Sequence, residues 1–453
     1  MFIEWGAHPD PEIEQLVRTG AEHALLEALR TPRVGVDPFA QLLLFDRLRA
    51  LRPGDANLLA TWIPAMLMTN RPAPVHAITR HWPADRGPAP PWRLIAAQVA
   101  QTMGERDEAR RRYQALLAAC PDMIDAWQKY FEFESAERLQ PDAIARVRTM
   151  LAGDADPYVR EKAAFALAAA TKGTDPPQAF RLATAAHALK RQRQGAWSRG
   201  ELESRLAADR ACTPQDVGPA PGPRPVFVVG LPRSGTTLLE RMLGSHSCIA
   251  GVGEQPLLAS WAARRAAMGT AATPGAAYAA AWYKAALHDL AGGAQVVVDK
   301  LPANAEHVGL ILATFADALV LWLERDLADC AMSIHLHDFE AGLRYADDVH
   351  DLAAYAGLLY RHLQGWRERA PERVLHLRYE DLLDDPARAL EPLLSRTGLQ
   401  WESSMLDFWQ RDEQSATFSE AQVRRPVNRD AVGAWRRYLP DAEAFVRALG
   451  VTP

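Results

Sequence analysis

The chain has 453 residues, 48% of them apolar and 24% charged, with a net charge of −5. That length exceeds one hydrophobic core and predicts two or more domains of an ordinary globular kind. The mild negative charge excludes the broad basic surface that nucleic acid or an anionic membrane requires, and no apolar run reaches the roughly 20 residues of a membrane span.

The first residues, Met1-Phe2-Ile3-Glu4-Trp5, lack the basic and then apolar pattern of a secretory leader. Cys120, Cys212, Cys248 and Cys330 are scattered and show no metal-ligand spacing. Together these predict a cytoplasmic protein with reduced thiols.

Residues 1–212 are rich in Ala, Leu, Arg and Glu, and their apolar positions recur at helical spacing, as in Ala21-Leu25-Leu26-Leu29. Trp92, Gly104, Ala109, Tyr113 and Pro121 follow a tetratricopeptide-like pattern, one residue long between Trp92 and Gly104. Gly104 is expected at the turn, Ala109 where two helices touch, and Pro121 at a helix end. Trp127 opens a similar unit through Ala143 and Val147, and residues 154–190 suit a further helix pair. Such pairs bury their faces only by stacking, which predicts a helical repeat domain. Its surface is either a groove for a peptide or protein, or scaffold with room for a homodimer face.

Pro214, Pro219, Pro221, Pro223 and Pro225 crowd together with Gly218 and Gly222, so residues 213–224 read as an exposed, stiff linker. A second domain is expected over 225–453. It opens with the buried strand Pro225–Val229, followed by Gly230-Leu231-Pro232-Arg233-Ser234-Gly235-Thr236-Thr237-Leu238 and a helix expected from Thr237 to Leu243. Strand, glycine-bearing loop and helix N-terminus make an anion cradle of backbone N–H groups. The spacing is that of a nucleotide P-loop, but Thr236 stands where a Walker A loop carries its lysine. A loop without that lysine is poorly suited to drawing charge off a γ-phosphoryl group. With Arg233 inside it, the loop suits a donor holding one phosphate here and a reactive group beyond.

Gly251-Val252-Gly253-Glu254 follows, read as a glycine-rich turn carrying a carboxylate, with His246 as a neighbouring rival and more often a structural residue. A second valine-rich strand closes on Asp299-Lys300-Leu301-Pro302. An Asp at such a strand end is where a Walker B motif holds magnesium, but a capping or ion-pairing role is the reading adopted for Asp299. A third strand, Ala318–Leu323, leads to Glu324-Arg325-Asp326, with Asp326 as helix N-cap and Ser333 eight residues after Arg325. A planar guanidinium at a strand end suits a phosphate. A fourth strand reaches Tyr379-Glu380-Asp381-Leu382, and a late basic stretch runs Ser419-Glu420-Ala421-Gln422-Val423-Arg424-Arg425-Pro426-Val427-Asn428 before Gly433-Ala434-Trp435.

Taken in this order, the motifs over roughly 225–438 resemble sulfotransferases that use 3′-phosphoadenosine 5′-phosphosulfate (PAPS). They are most like the tyrosylprotein sulfotransferase branch and its bacterial relatives with helical repeats. The resemblance implies an α/β, three-layer, P-loop-type domain with a mostly parallel sheet, with PAPS as donor, PAP as product and no metal. It implies Glu254 as the base that takes the acceptor hydroxyl's proton, and Lys300 and Ser419 as stabilisers of transfer charge, with Arg233 assisting. The donor would lie against Arg233, Ser234, Gly235, Thr236, Thr237, Leu238, Arg325, Ser333, Tyr379, Ser419, Gln422, Val423, Arg425 and Asn428. Two departures stand out: His337 where those enzymes carry a second arginine, and Ala434 where some carry a lysine, with Arg436 or Arg437 as candidate replacements.

The expected function is therefore sulfuryl transfer to an acceptor hydroxyl, foremost a tyrosine in a peptide or protein held by the repeats. Two alternatives stand beside it: an ATP- and magnesium-dependent kinase-like enzyme using Thr237 and Asp299, and an inactive tetratricopeptide adaptor.

Overall fold

A computed structural model describes residues 3–35, 37–83, 89–153, 155–213, 218–272, 275–339, 343–410 and 425–452, without the side chains of 32, 33 and 266–272. Up to Arg210 the described residues are helical. The helices run as antiparallel neighbours, among them Pro90–Thr102 with Arg106–Ala119, and Pro157–Thr171 with Pro176–Gln194. Gly104 turns the first of these pairs at φ +81°, and Ala109 and Tyr113 are fully buried between neighbours. The Trp127 indole closes the next turn by donating to the Pro121 carbonyl at 2.8 Å.

The second half is built on five parallel strands: β1 (Arg224–Gly230), β2 (Ile249–Gly253), β3 (Val296–Lys300), β4 (Leu319–Glu324) and β5 (Val374–Arg378). They lie in the order β2-β3-β1-β4-β5. The valine and leucine runs are continuous because helices cover both faces of such a sheet. Val228 pairs with Lys300 on one side of β1, and Gly230 with Leu323 on the other. All carboxyl ends therefore open at one edge, and the order reverses around β1, where open α/β sheets bind ligands.

β2 corrects the expectation of a free glycine-rich turn. Gly251, Val252 and Gly253 are strand residues, Gly251 and Gly253 paired with β3 around a bulge at Val252, so Glu254 leaves the end of a sheet strand, on a firmer base than a loop provides.

The linker is tied down where it is described. The Lys284 ammonium donates to the Ala220 carbonyl at 2.7 Å. Nor does the core stop at the linker. Phe39, Leu43, Phe180, Ala183, Leu202 and Leu206 belong to the same buried cluster as Phe227, Val229, Trp282 and Trp366. Buried polar contacts cross too. Asp209 accepts from the backbone N–H of Gly309 and Leu310 and from the Trp366 indole. Arg264 and Trp282 both donate to Asp37.

Candidate active site

The turn from β1 into the helix Thr236–Gly244 has two residues at positive φ, Arg233 at +68° and Gly235 at +100°. A glycine is required at 235, since a Cβ there would come within 2.4 Å of the Tyr379 ring. Tyr379 begins the helix after β5 and packs on the loop, which joins core-capping and site-lining roles in one residue. Ser234, Thr236 and Thr237 are buried at the helix start, and the Ser234 hydroxyl finds no hydrogen-bond partner among the described residues. The first N–H groups of a helix have no acceptor within it, so the loop presents donors toward the strand ends.

Arg233 turns toward the helix that follows β4, and its Nε donates to the Ser333 hydroxyl at 2.8 Å. Arg325, at the end of β4, donates to the Arg233 carbonyl at 3.0 Å and to the Ala431 carbonyl. It lies 4.8 Å over the Tyr379 ring, and its Nε has no partner among the described residues. Burial, and then the neighbouring charge of Arg325, push the Arg233 pKa down to about 10. Arg233, Ser333, Arg325 and Tyr379, expected together from the sequence, do meet in space.

His337 lies two residues past the end of the helix that bears Ser333, and its Nδ1 is 2.7 Å from the Ser333 carbonyl. Burial, then the charges of Arg233 and Lys172, hold its pKa well below the usual histidine range. A neutral imidazole thus stands where the resemblance leads one to expect a second arginine.

On the other flank, Lys300 ends β3 with a side chain only 1% exposed, and its Nζ donates to Glu254 Oε1 at 2.6 Å. Glu254 is 46% exposed. Glu240, on the helix after the loop, stands 3.9 Å behind Lys300 and accepts from the Gly253 N–H at 2.7 Å. Burial raises the Glu240 pKa. Sequence reading passed over Glu240, although its place one turn into the post-loop helix puts it on the same face as Thr236 and Thr237.

Among the described residues Asp299 neither caps a helix nor forms an ion pair, which departs from that reading. It is buried, and accepts from the Tyr283 hydroxyl at 2.6 Å and from Asn304 at 3.4 Å. Burial pushes its pKa up to about 7. His246 is structural, with Nε2 2.9 Å from the Gln400 carbonyl and Nδ1 accepting from the Cys248 N–H.

The late basic stretch closes the third side of the cleft. Arg425, Pro426, Val427, Asn428 and Arg437 line it opposite Arg233, Gly235 and Leu238. Asn428 donates to the Pro426 carbonyl and accepts from the Asp430 N–H, folding the segment on itself. Asp329, four residues after Arg325, accepts from the Gly433 and Trp435 N–H groups and pins the stretch to the domain. Of the two candidates to replace the lysine absent at Ala434, Arg437 faces the cleft, while Arg436 stacks on Trp435 at 4.4 Å. Ser419, Gln422 and Val423 lie outside the described residues.

Residues 225–403 match the model of the sulfotransferase family. A curated relative, an uncharacterized protein of Aquifex aeolicus (strain VF5), is 29% identical over 369 residues, 75% of this chain and 47% of its own length. The chain thus spans about half the length of that relative. Solved structures similar to it include the sulfotransferase domain of the Synechococcus PCC 7002 olefin synthase (18% identical, TM-score 0.36, 53% of this chain and 98% of that one). Sulfotransferase STF9 of Mycobacterium avium is another (16% identical, TM-score 0.32, 69% of this chain and 95% of that one). No helix among the described residues is long and apolar enough to cross a membrane.

Proposed function

We propose that the protein transfers a sulfuryl group from PAPS to an acceptor hydroxyl. The observation that carries this is a pair of guanidinium groups beside a loop of helix-end N–H donors: Arg233 donates to the Ser333 hydroxyl, and Arg325 to the Arg233 carbonyl. Burial, and then the neighbouring charge of Arg325, lower the Arg233 pKa, and a bound anion relieves the repulsion between the two guanidinium groups. The unpartnered Ser234 hydroxyl and Arg325 Nε are further donors suited to phosphate oxygens. The residues present therefore fit a nucleotide with two separate phosphates, the 5′ one on the loop and the 3′ one at Arg325 and Ser333. When bound, the donor supplies an activated sulfuryl group.

In this reading Glu254 takes the proton from the acceptor hydroxyl, which is a weak nucleophile without a positioned base. Lys300 and Arg233 balance the charge that develops on the leaving phosphate. Arg425, Asn428 and Arg437 cover the donor. The acceptor is a tyrosine in a peptide or protein, and the stacked helices hold the chain that bears it. The kinase-like alternative is less well supported: Thr236 takes the lysine's place, and Tyr283 and Asn304 already occupy the Asp299 carboxyl.

Calorimetric titration tests the donor. PAP is expected to bind without magnesium, and tight magnesium-dependent ATP binding with no response to PAP would overturn the reading. Tyrosine peptides incubated with PAPS are expected to gain the mass of a sulfate.

A further inference from the structure

The helix Ala56–Met68 ends in a turn, Thr69-Asn70-Arg71, whose contacts reach residues of the α/β half, Val252, Ala286 and Asp289. The Arg71 guanidinium is buried, donating to both Asp289 oxygens at 2.8 and 2.6 Å, to the Ala286 carbonyl at 2.7 Å and to the Thr69 carbonyl at 2.9 Å. That fork fixes the turn against the α/β domain. Asn70 adopts φ +56°, a left-handed conformation that asparagine tolerates better than most residues. Its amide donates to the Val252 carbonyl at 3.1 Å, 182 residues away.

Val252 and Gly253 are the last residues of β2, directly before Glu254. Gly253 sits at φ +73°, and a Cβ there would lie 2.3 Å from the Asn70 amide nitrogen, so that amide rests on the bare glycine backbone. Gln255, on the far side of Glu254, is buried and donates to the Thr69 carbonyl at 3.3 Å and to the Val252 carbonyl at 2.5 Å. Both neighbours of Glu254 are thus held by one turn of the helical half. The strand-side clamp from Glu240 to the Gly253 N–H completes the grip.

We propose that Asn70 is a positioning residue for sulfuryl transfer, setting the backbone from which Glu254 reaches the acceptor. The proposal rests on the reading of Glu254 as the base. The helical half, in this view, supplies part of the catalytic geometry itself. A base displaced by about 1 Å loses on the order of 100-fold in rate, because proton transfer depends on a near-attack arrangement.

The test uses the full-length chain. Asn70→Gly keeps the left-handed backbone and removes only the amide; Gly253→Ala disturbs the same contact from the other side. Amide hydrogen exchange of peptides covering 249–257 is expected to quicken at least tenfold in both variants. Exchange in β1 and β4, and PAP affinity by calorimetry, are expected to stay within threefold of the parent. Unchanged exchange at 249–257 in Asn70→Gly overturns the proposal. With 4-nitrophenol as probe acceptor, Asn70→Gly is expected to lower kcat at least tenfold with KM unchanged. A parental kcat in Asn70→Gly, alongside an inactive Glu254→Gln, also overturns it. Full turnover in Glu254→Gln instead removes Glu254 as base, and with it the catalytic meaning of the contact. If the parent does not use 4-nitrophenol, the exchange result decides.

Discussion

Lys300 and Glu254 hold each other, Nζ to Oε1, at 2.6 Å, one at the end of β3 and the other just past the end of its neighbour β2. Each is the partner that the other must release in the proposed reaction. An anion on the loop draws the ammonium toward itself and frees the carboxylate to accept a proton. Removing either member therefore damages the same step. Glu254→Gln is expected to lower kcat by about 10²–10⁴, with PAP affinity by calorimetry within threefold of the parent. Turnover near the parental rate would remove Glu254 from the mechanism.

Arg325 is expected to read the 3′-phosphate. Arg325→Lys keeps the charge and loses the fork, a difference of about 1.5–3 kcal/mol for a charge-assisted bond. PAP affinity should fall at least tenfold, while AMP, which lacks the 3′-phosphate, should bind the variant and the parent alike. An equal loss for both ligands in calorimetry would assign Arg325 to holding the loop and Ala431 instead.

Gly235→Ala places a methyl group 2.4 Å from the Tyr379 ring at φ +100°. The left-handed backbone alone costs roughly 1–2 kcal/mol, and Tyr379 cannot yield without opening the face of Arg325. A lower melting temperature together with a loss of PAP binding is expected. A variant that melts and binds like the parent would show that the loop has another accessible shape.

Asp338, just past the Ser333 helix, is buried against Lys162 and Lys190 of the helical half. Burial alone would raise its pKa, but the Lys190 and Lys162 charges outweigh that and hold the carboxyl well below its usual range. A carboxyl depressed in the folded state adds stability that is fully present above its unfolded pKa of about 3.9. That stability is lost as pH falls through the folded value. Asp338→Asn should therefore melt lower than the parent at pH 7, and the gap should narrow below about pH 4. A pH-independent gap would mean that the carboxylate charge is not what matters there.

The local elements around the donor were open to sequence reading because each rests on short-range chemistry. Valine runs make buried strands, Gly235 permits the loop, and Asp326 caps the Ser333 helix by accepting from the Asp329 N–H at 2.9 Å. Motif order likewise carried Arg233, Arg325, Ser333 and Tyr379 to one place, since parallel strands all deliver their carboxyl ends to the same edge. The β2 strand was harder to see. Ile249–Gly253 is short and glycine-rich, and only its pairing with β3 makes it a strand.

What tertiary structure alone decided is how the helical half joins the α/β half. Composition and a run of prolines suggest a stiff break between two bodies, yet Phe39 and Phe180 share a core with Phe227. Asn70 reaches the strand beneath Glu254, and Lys162 and Lys190 close on Asp338. The polar contacts among these join residues 148, 176 and 182 positions apart. No helical period, cap or turn preference encodes such a meeting. It exists only because two apolar faces bury each other, and that burial brings the polar groups at their edges within hydrogen-bonding distance.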